Sequence, residues 1–246
     1  LGVAENEQIE HKMLSNAIEK AQEKIEFNNF GIRKNVLQYD DVMNKQREII
    51  YGQRDQVLNG ENVHDDIIKM LKDTIEENVS LYVNDHILRE SWNLSSLKET
   101  YKWLVPDKDF LVFTGDELDK LDKKDIIELI TNKALDLYKE NEEVLDAETM
   151  EEMERVYLLK SVDTHWMDHI DAMEQLKQSI YLASYGQKDP VVEYKLVGFD
   201  MFDEMIAAIR EDTVKLCLLQ PKRIARVKAQ QEEMARIREK SEAKRS

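Results

Sequence analysis

Apolar positions recur at helical spacing almost without interruption from Ile9 to Leu58. Leu14, Ile18, Ala21 and Ile25 step by four and three, and Ile32, Val36, Tyr39, Met43, Ile50 and Val57 continue at nearly the same period. The pattern predicts one helix roughly 70 Å long at about 1.5 Å per residue. Ordinary helices average about 11 residues, so a rod of this length needs several different partners along its stripe. Around Asn28, Asn29, Phe30 and Gly31 the seam turns polar and slips register. A strict two-stranded coiled coil keeps apolar residues in its seam, so a straight scaffold with different neighbours at each end fits better than a self-pairing coil.

Beyond residue 60 the pattern breaks into shorter pieces. Val63, Ile67, Leu71, Ile75, Val79 and Tyr82 mark a second amphipathic helix. After a turn at Thr114, Gly115 and Asp116, another is marked by Leu118, Leu121, Ile127, Ile130, Ala134 and Leu137. The irregular stretch between them carries Trp92, Trp103 and Pro106, aromatics suited to plugging a small core. From about Ala147 to Leu219 two helical stripes face each other across a short break. The first arm reads Val156, Leu159, Trp166, Ile170, Met173 and Ile180, the second Phe199, Phe202, Ile206, Ile209 and Leu216. Two such arms close on each other as an antiparallel hairpin. Gly198, inside the second arm, either lets the arms approach closely or bends the helix.

The break between the arms, SIYLASYGQKDPVVEY over residues 179–194, contains the turn formers Gly186, Asp189 and Pro190. Tyr181, Leu182 and Tyr185 crowd its approach. Two readings follow: the three pack back onto the hairpin, or an aromatic tip on a stiff stalk touches another molecule.

Composition bears on fold class and on excluded chemistry. Only seven Gly and three Pro punctuate 246 residues, which argues for an all-α chain: one very long scaffold helix, a small helical subdomain and a two-helix hairpin. The single cysteine, Cys217, lies on an apolar helical row and reads as a buried thiol, which suits a reducing cytosol. There is no apolar run of the ~20 residues a membrane span needs, and no signal peptide, so the chain is expected to be soluble. The net charge of −16 is uneven: −2 over residues 1–60, −14 over 61–155, −5 over 156–220 and +5 over 221–246. So acidic a middle repels nucleic acid. The basic tail suits either a solvated helix or an anionic lipid surface. Arg33, Lys34, Asp40, Asp41, Arg47 and Arg54 crowd the second half of the long helix, as a solvated face or as ion pairs to another domain.

Motifs for catalysis are sparse. Neither GxxxxGK[ST] nor GxGxxG occurs, so nothing cradles a nucleotide phosphate. In HWMDH, His165 and His169 lie one turn apart, a spacing able to bind a metal. The residue after the first His is Trp166 where zincins carry their general base, so hydrogen bonding is the expected role of both rings and no metal is expected.

Two runs carry a family resemblance: NNFGIRKNVLQYDDVMNKQREIIY at 28–51, and DTHWMDHIDAMEQLKQSIYLASYGQKDPVVEYKLVGFDMFDEM at 163–205. Both closely resemble the carboxy-terminal part of the SecA family, ATP-driven motors of bacterial preprotein export. The resemblance implies four regions. Residues 1–58 would be the end of the second nucleotide-binding domain and the long scaffold helix, with Arg33, Lys34, Tyr39, Asp40, Asp41 and Arg47 in interdomain positions. Residues 59–147 would be the helical wing. Residues 148–219 would be the two-helix finger, a regulator of ATPase activity. Residues 220–246 would be a basic helical tail or linker. It further implies that Tyr185, with Leu182 and Tyr181, touches unfolded preprotein inside the SecY channel. Where the family carries a basic residue at the tip, this chain has Ala183 and Ser184, which leaves an aromatic contact. Other partners implied are the nucleotide-binding domains of the same parent and an anionic membrane surface, with no nucleic acid. The expected location is cytoplasmic, peripheral at the inner face of the plasma membrane. ATP and Mg belong to motor domains outside this segment, so the segment alone is expected to have no enzyme activity and no cofactor. The competing reading is a coiled-coil adaptor without a motor role.

Overall fold

The computed structural model describes residues 12–59, 62–183 and 189–243. Every regular element among them is a helix, as the composition predicts. The long helix α1 runs over Lys12–Leu58, and α2 over His64–Tyr82. After a single 3-10 turn at Arg89–Ser91 come α3 (Leu94–Thr100), α4 (Gly115–Leu118) and α5 (Lys123–Val144). The arms of the hairpin are α6 (Ala147–Ala183) and α7 (Pro190–Leu219), followed by α8 (Pro221–Ala243). The chain packs as two compact units: one contains residues up to Ile49 with Asp171–Asp200, the other Ile50–Ile170 with the chain from Met201 onward.

The larger unit is built around α2 and α5. Ile67, Leu71, Ile75 and Val79 form the buried face of α2, as their spacing predicts, and pack on α5. The stripe on α5 differs from the sequence reading by one position. Ile126, Ile130, Ala134 and Tyr138 are buried at strict four-residue steps, while Ile127 and Leu137 are only half-buried. Two neighbouring apolar residues cannot share one helix face, and Tyr138, with Asn141 a turn further on, fixes which of them turns inward. The Thr114–Asp116 turn is itself one helical turn. Thr114 donates its amide N–H and its hydroxyl to Glu117 Oε2, both at 2.8 Å. α5 opens on a reciprocal box in which Asp125 N–H donates to Asp122 Oδ1 at 3.0 Å and Asp122 N–H to Asp125 Oδ2 at 2.7 Å. Trp92 is buried and donates its indole N–H to the Asn84 carbonyl at 2.9 Å, so it does plug this core; Trp103 is half-buried.

In the hairpin, Trp166, Met173 and Ile180 of the first predicted row and Phe202 and Ile209 of the second are buried as expected, while other positions of both rows shift. In α6 the buried row is Met153, Leu158, Val162, Trp166, His169 and Met173, whereas Val156 is 51% exposed. In α7 it is Val191, Tyr194, Gly198, Phe202, Met205 and Ile209, whereas Phe199 is 63% exposed. Each buried large apolar side chain on these rows contributes about 1.5–3 kcal/mol. Cys217 is fully buried, as its row predicts. The Gln220–Pro221 junction ends α7 and starts α8, with Pro221 at the first helical position, where its missing N–H costs nothing.

Candidate functional site

The smaller unit joins α1 to the distal parts of both hairpin arms. Tyr39 of α1 meets Tyr194 of α7 edge to face, with ring centroids 4.8 Å apart, and Lys177 of α6 places its ammonium 5.8 Å from the Tyr39 ring. Burial, with Glu174, Asp40 and Tyr39 nearby, pushes the Tyr194 phenol up to about 12. Burial, with Asp189, also raises Tyr39. Two turns further along α1, Gln46 donates its buried side-chain amide to the Gly198 carbonyl at 3.0 Å. A Cβ at position 198 would lie 2.7 Å from Met173 Cε. Of the two roles open to Gly198, close approach is therefore the one realised.

At the end of the stalk, Asp189 starts α7: its Oδ1 accepts from Val191 N–H at 2.9 Å, and Pro190 occupies the first helical position. Tyr185 lies outside the described residues. Tyr181 and Leu182 fall in the last turn of α6, and their side chains also lie outside the description. Of the interdomain positions expected on α1, Tyr39 is half-buried against Tyr194, while Arg33, Lys34, Asp40, Asp41 and Arg47 are exposed. Arg47 donates to Asn44 Oδ1 at 2.9 Å along the same helix. The apolar stripe of α1 stays uncovered before Tyr39: Phe27 is 76% exposed, Phe30 67% and Ile32 62%.

In the larger unit the end of α1 packs on α6. Arg54 grips Asp163 with two hydrogen bonds, at 2.9 and 3.4 Å, and Tyr51 lies edge-on to Trp166 at 6.3 Å. The two histidines of HWMDH serve different contacts. His165 Nε2 bonds Asp212 Oδ2 of α7 at 2.7 Å, whereas His169 is buried, stacked on Trp166 at 5.7 Å and edge-on to Phe202 at 5.8 Å. Burial lowers the pKa of His169. Among the described residues no group of three or more His, Cys, Asp or Glu converges as metal ligands, and no helix is long and apolar enough to cross a membrane.

A second polar centre, missed by motif reading, joins three helices. Glu154 of α6 is 1% exposed; its Oε1 accepts from the Tyr138 hydroxyl of α5 and lies 3.2 Å from His64 Nδ1 at the start of α2. Burial raises the Glu154 carboxyl above its ordinary range, and His64 opposes that rise. One signal was available in the sequence: an acid on an otherwise apolar helical row with Met150 and Leu158. In a chain with 51 acids that signal is diluted.

The sequence that builds these centres matches a known family. A family profile described as "SecA Wing and Scaffold domain" matches residues 8–220. The chain belongs to this SecA family. Among similar proteins, a "Protein translocase subunit SecA" from Acetivibrio thermocellus is 46% identical over 219 residues, covering 89% of this chain and 24% of its own length. The "Protein translocase subunit SecA" from Lachnoclostridium phytofermentans is 49% identical over 237 residues, covering 96% of this chain and 27% of its own length. That from Heliobacterium modesticaldum is 42% identical over 219 residues. The chain thus spans about a quarter of the length of the curated SecA relatives it matches.

Proposed function

We propose that this chain is the carboxy-terminal helical segment of a SecA-like motor, coupling ATP hydrolysis in the parent protein to movement of unfolded preprotein through the SecY channel. The observation that carries the reading is membership of the SecA wing and scaffold family, joined to a stalk in which α1 and α7 interlock through Tyr39, Tyr194, Gln46 and Gly198, with Met173 and Lys177 of α6 against them. On this reading residues 1–58 are the end of the second nucleotide-binding domain and the scaffold helix. Residues 59–147 are the wing, 148–219 the two-helix finger and 220–246 a basic tail. The uncovered Phe27, Phe30 and Ile32 and the charges of Arg33, Lys34, Asp40, Asp41 and Arg47 then face the nucleotide-binding domains of the same parent. ATP and Mg are held there, and the segment alone hydrolyses nothing. The parent works in the cytoplasm and on the inner face of the plasma membrane, where the basic tail meets anionic lipid.

A motor that moves chains of any sequence needs a contact that ignores side-chain order, and a tyrosine ring with an apolar face and a polar edge provides one. Tyr185, beside Leu182 and Tyr181, is assigned that contact. In the full-length parent, Tyr185→Ala should slow translocation while thermal unfolding stays unchanged; equal translocation rates would remove Tyr185 from the mechanism. Adding the 246-residue chain to separately produced nucleotide-binding domains should bind them and alter their ATPase rate. Absence of both effects would defeat the coupling role.

A further inference from the structure

The chain carries its charge in two opposed blocks, −14 over residues 61–155 and +5 over 221–246. In the structure these blocks touch. α8 lies along α5, with Lys222 Nζ 3.1 Å from Glu140 Oε2. Lys228 Nζ lies 3.5 Å from Asp146 Oδ2 and donates to Thr149 Oγ1 at 2.5 Å. Residues 221–231 contain four bases and no acid, so these two lysines are half of the positive charge of the segment. The apolar part of the contact is small: Pro221 is buried and Ile224 and Ala225 half-buried, while Val227 is 45% exposed.

Such a contact is weak by construction. Both ion pairs are exposed, so water and salt screen them, and little apolar area holds the helix down once they part. An ammonium within hydrogen-bond reach of a carboxylate cannot at the same time pair with a lipid phosphate. The docked helix also presents its lysines beside a surface that an anionic membrane repels. We propose that the acidic wing face around Glu140 and Asp146 is an intramolecular dock for α8, and that an anionic lipid surface competes with it for Lys222 and Lys228. The lipid half of this statement rests on the membrane contact proposed above; the dock itself rests on the observed ion pairs.

The test is sedimentation of the 246-residue chain with phosphatidylglycerol vesicles and with neutral phosphatidylcholine vesicles. Glu140→Gln with Asp146→Asn removes the dock's charges; asparagine caps a helix as well as aspartate, so α6 keeps its start. Glu76→Gln with Glu128→Gln makes the same change of net charge at exposed positions of α2 and α5, neither of them among the acids paired with α8, and controls for net charge. The dock variant is expected to bind phosphatidylglycerol about three- to tenfold more tightly than wild type, as loss of two exposed ion pairs allows, with a smaller gain in the control. Equal gains in both variants would overturn the dock and leave the membrane contact standing. No preference of any variant for the anionic vesicles would overturn both.

Discussion

Tyr39 of the long scaffold helix and Tyr194 of the second hairpin arm meet edge to face at 4.8 Å, two rings 155 positions apart in sequence. The positive edge of one ring against the negative face of the other is worth about 0.5–1.5 kcal/mol beyond the area buried. A double-mutant cycle with Tyr39→Leu and Tyr194→Leu, read by urea denaturation, should return a coupling in that range. Additive losses would mean that the rings only fill space.

Gly198 should resist the smallest enlargement. Alanine is about 1 kcal/mol better than glycine inside a helix. Its Cβ would nevertheless sit 2.7 Å from Met173 Cε and 3.3 Å from Met173 Sδ, and Met173, only 1% exposed, has little room to yield. Gly198→Ala is therefore expected to lower stability by about 1 kcal/mol, the steric cost outweighing propensity. In a Met173→Ala background the same change should become stabilising. A stabilising Gly198→Ala in the unmodified chain would show that the thioether moves freely.

Glu154 predicts a pH dependence of defined sign. Its folded pKa is raised above the ordinary 4.5, first by burial, with His64 opposing. As pH falls through the raised value, the folded protein takes up the proton before the unfolded chain does, so stability rises until about pH 4.5 and gains nothing further below it. The groups facing this carboxyl are His64 on α2, Tyr138 on α5 and Cys217 on α7, with Glu142 of α5 4.0 Å from His64. Subtracting the Glu154→Gln profile from that of wild type should leave this rise. In a His64→Gln background it should steepen, because the opposing influence is gone. Buried His169, whose pKa is lowered, destabilises as pH falls, but it is present in both profiles and cancels. A flat difference between the two profiles would contradict the assignment.

Cys217 should be chemically silent. It is fully buried, and burial, with Glu154 nearby, pushes its thiol well above the usual range. Alkylation by iodoacetamide at neutral pH should run at least about a hundredfold slower in the folded chain than in urea, since the thiolate forms only on opening. Comparable rates would place the thiol at the surface.

Local pattern was enough to read the helical class, the extent of α1, the face of α2 and the hairpin break. Each depends on spacing and on few Gly and Pro, which the chain displays residue by residue. The HWMDH pair shows where local reading loses resolution. Two histidines on one helix look equivalent by spacing, yet His165 reaches an aspartate on α7 and His169 lies between aromatic rings. The contact proposed for Tyr185 rests on resemblance, since no spacing separates a contact tyrosine from a packing one.

The sequence by itself determined where helices run, that the chain is all-α with one very long helix, and which family it belongs to. The tertiary structure decided which member of each adjacent apolar pair turns inward: Ile126 rather than Ile127, and Gly198 rather than Phe199. A helix of 3.6 residues per turn leaves neighbouring rows about 100° apart, and an apolar count cannot choose between them. The choice falls to what stands opposite. Met173 and Gln46 occupy the space and the carbonyl at Gly198, so the residue with no side chain is the buried one and the phenylalanine beside it faces outward.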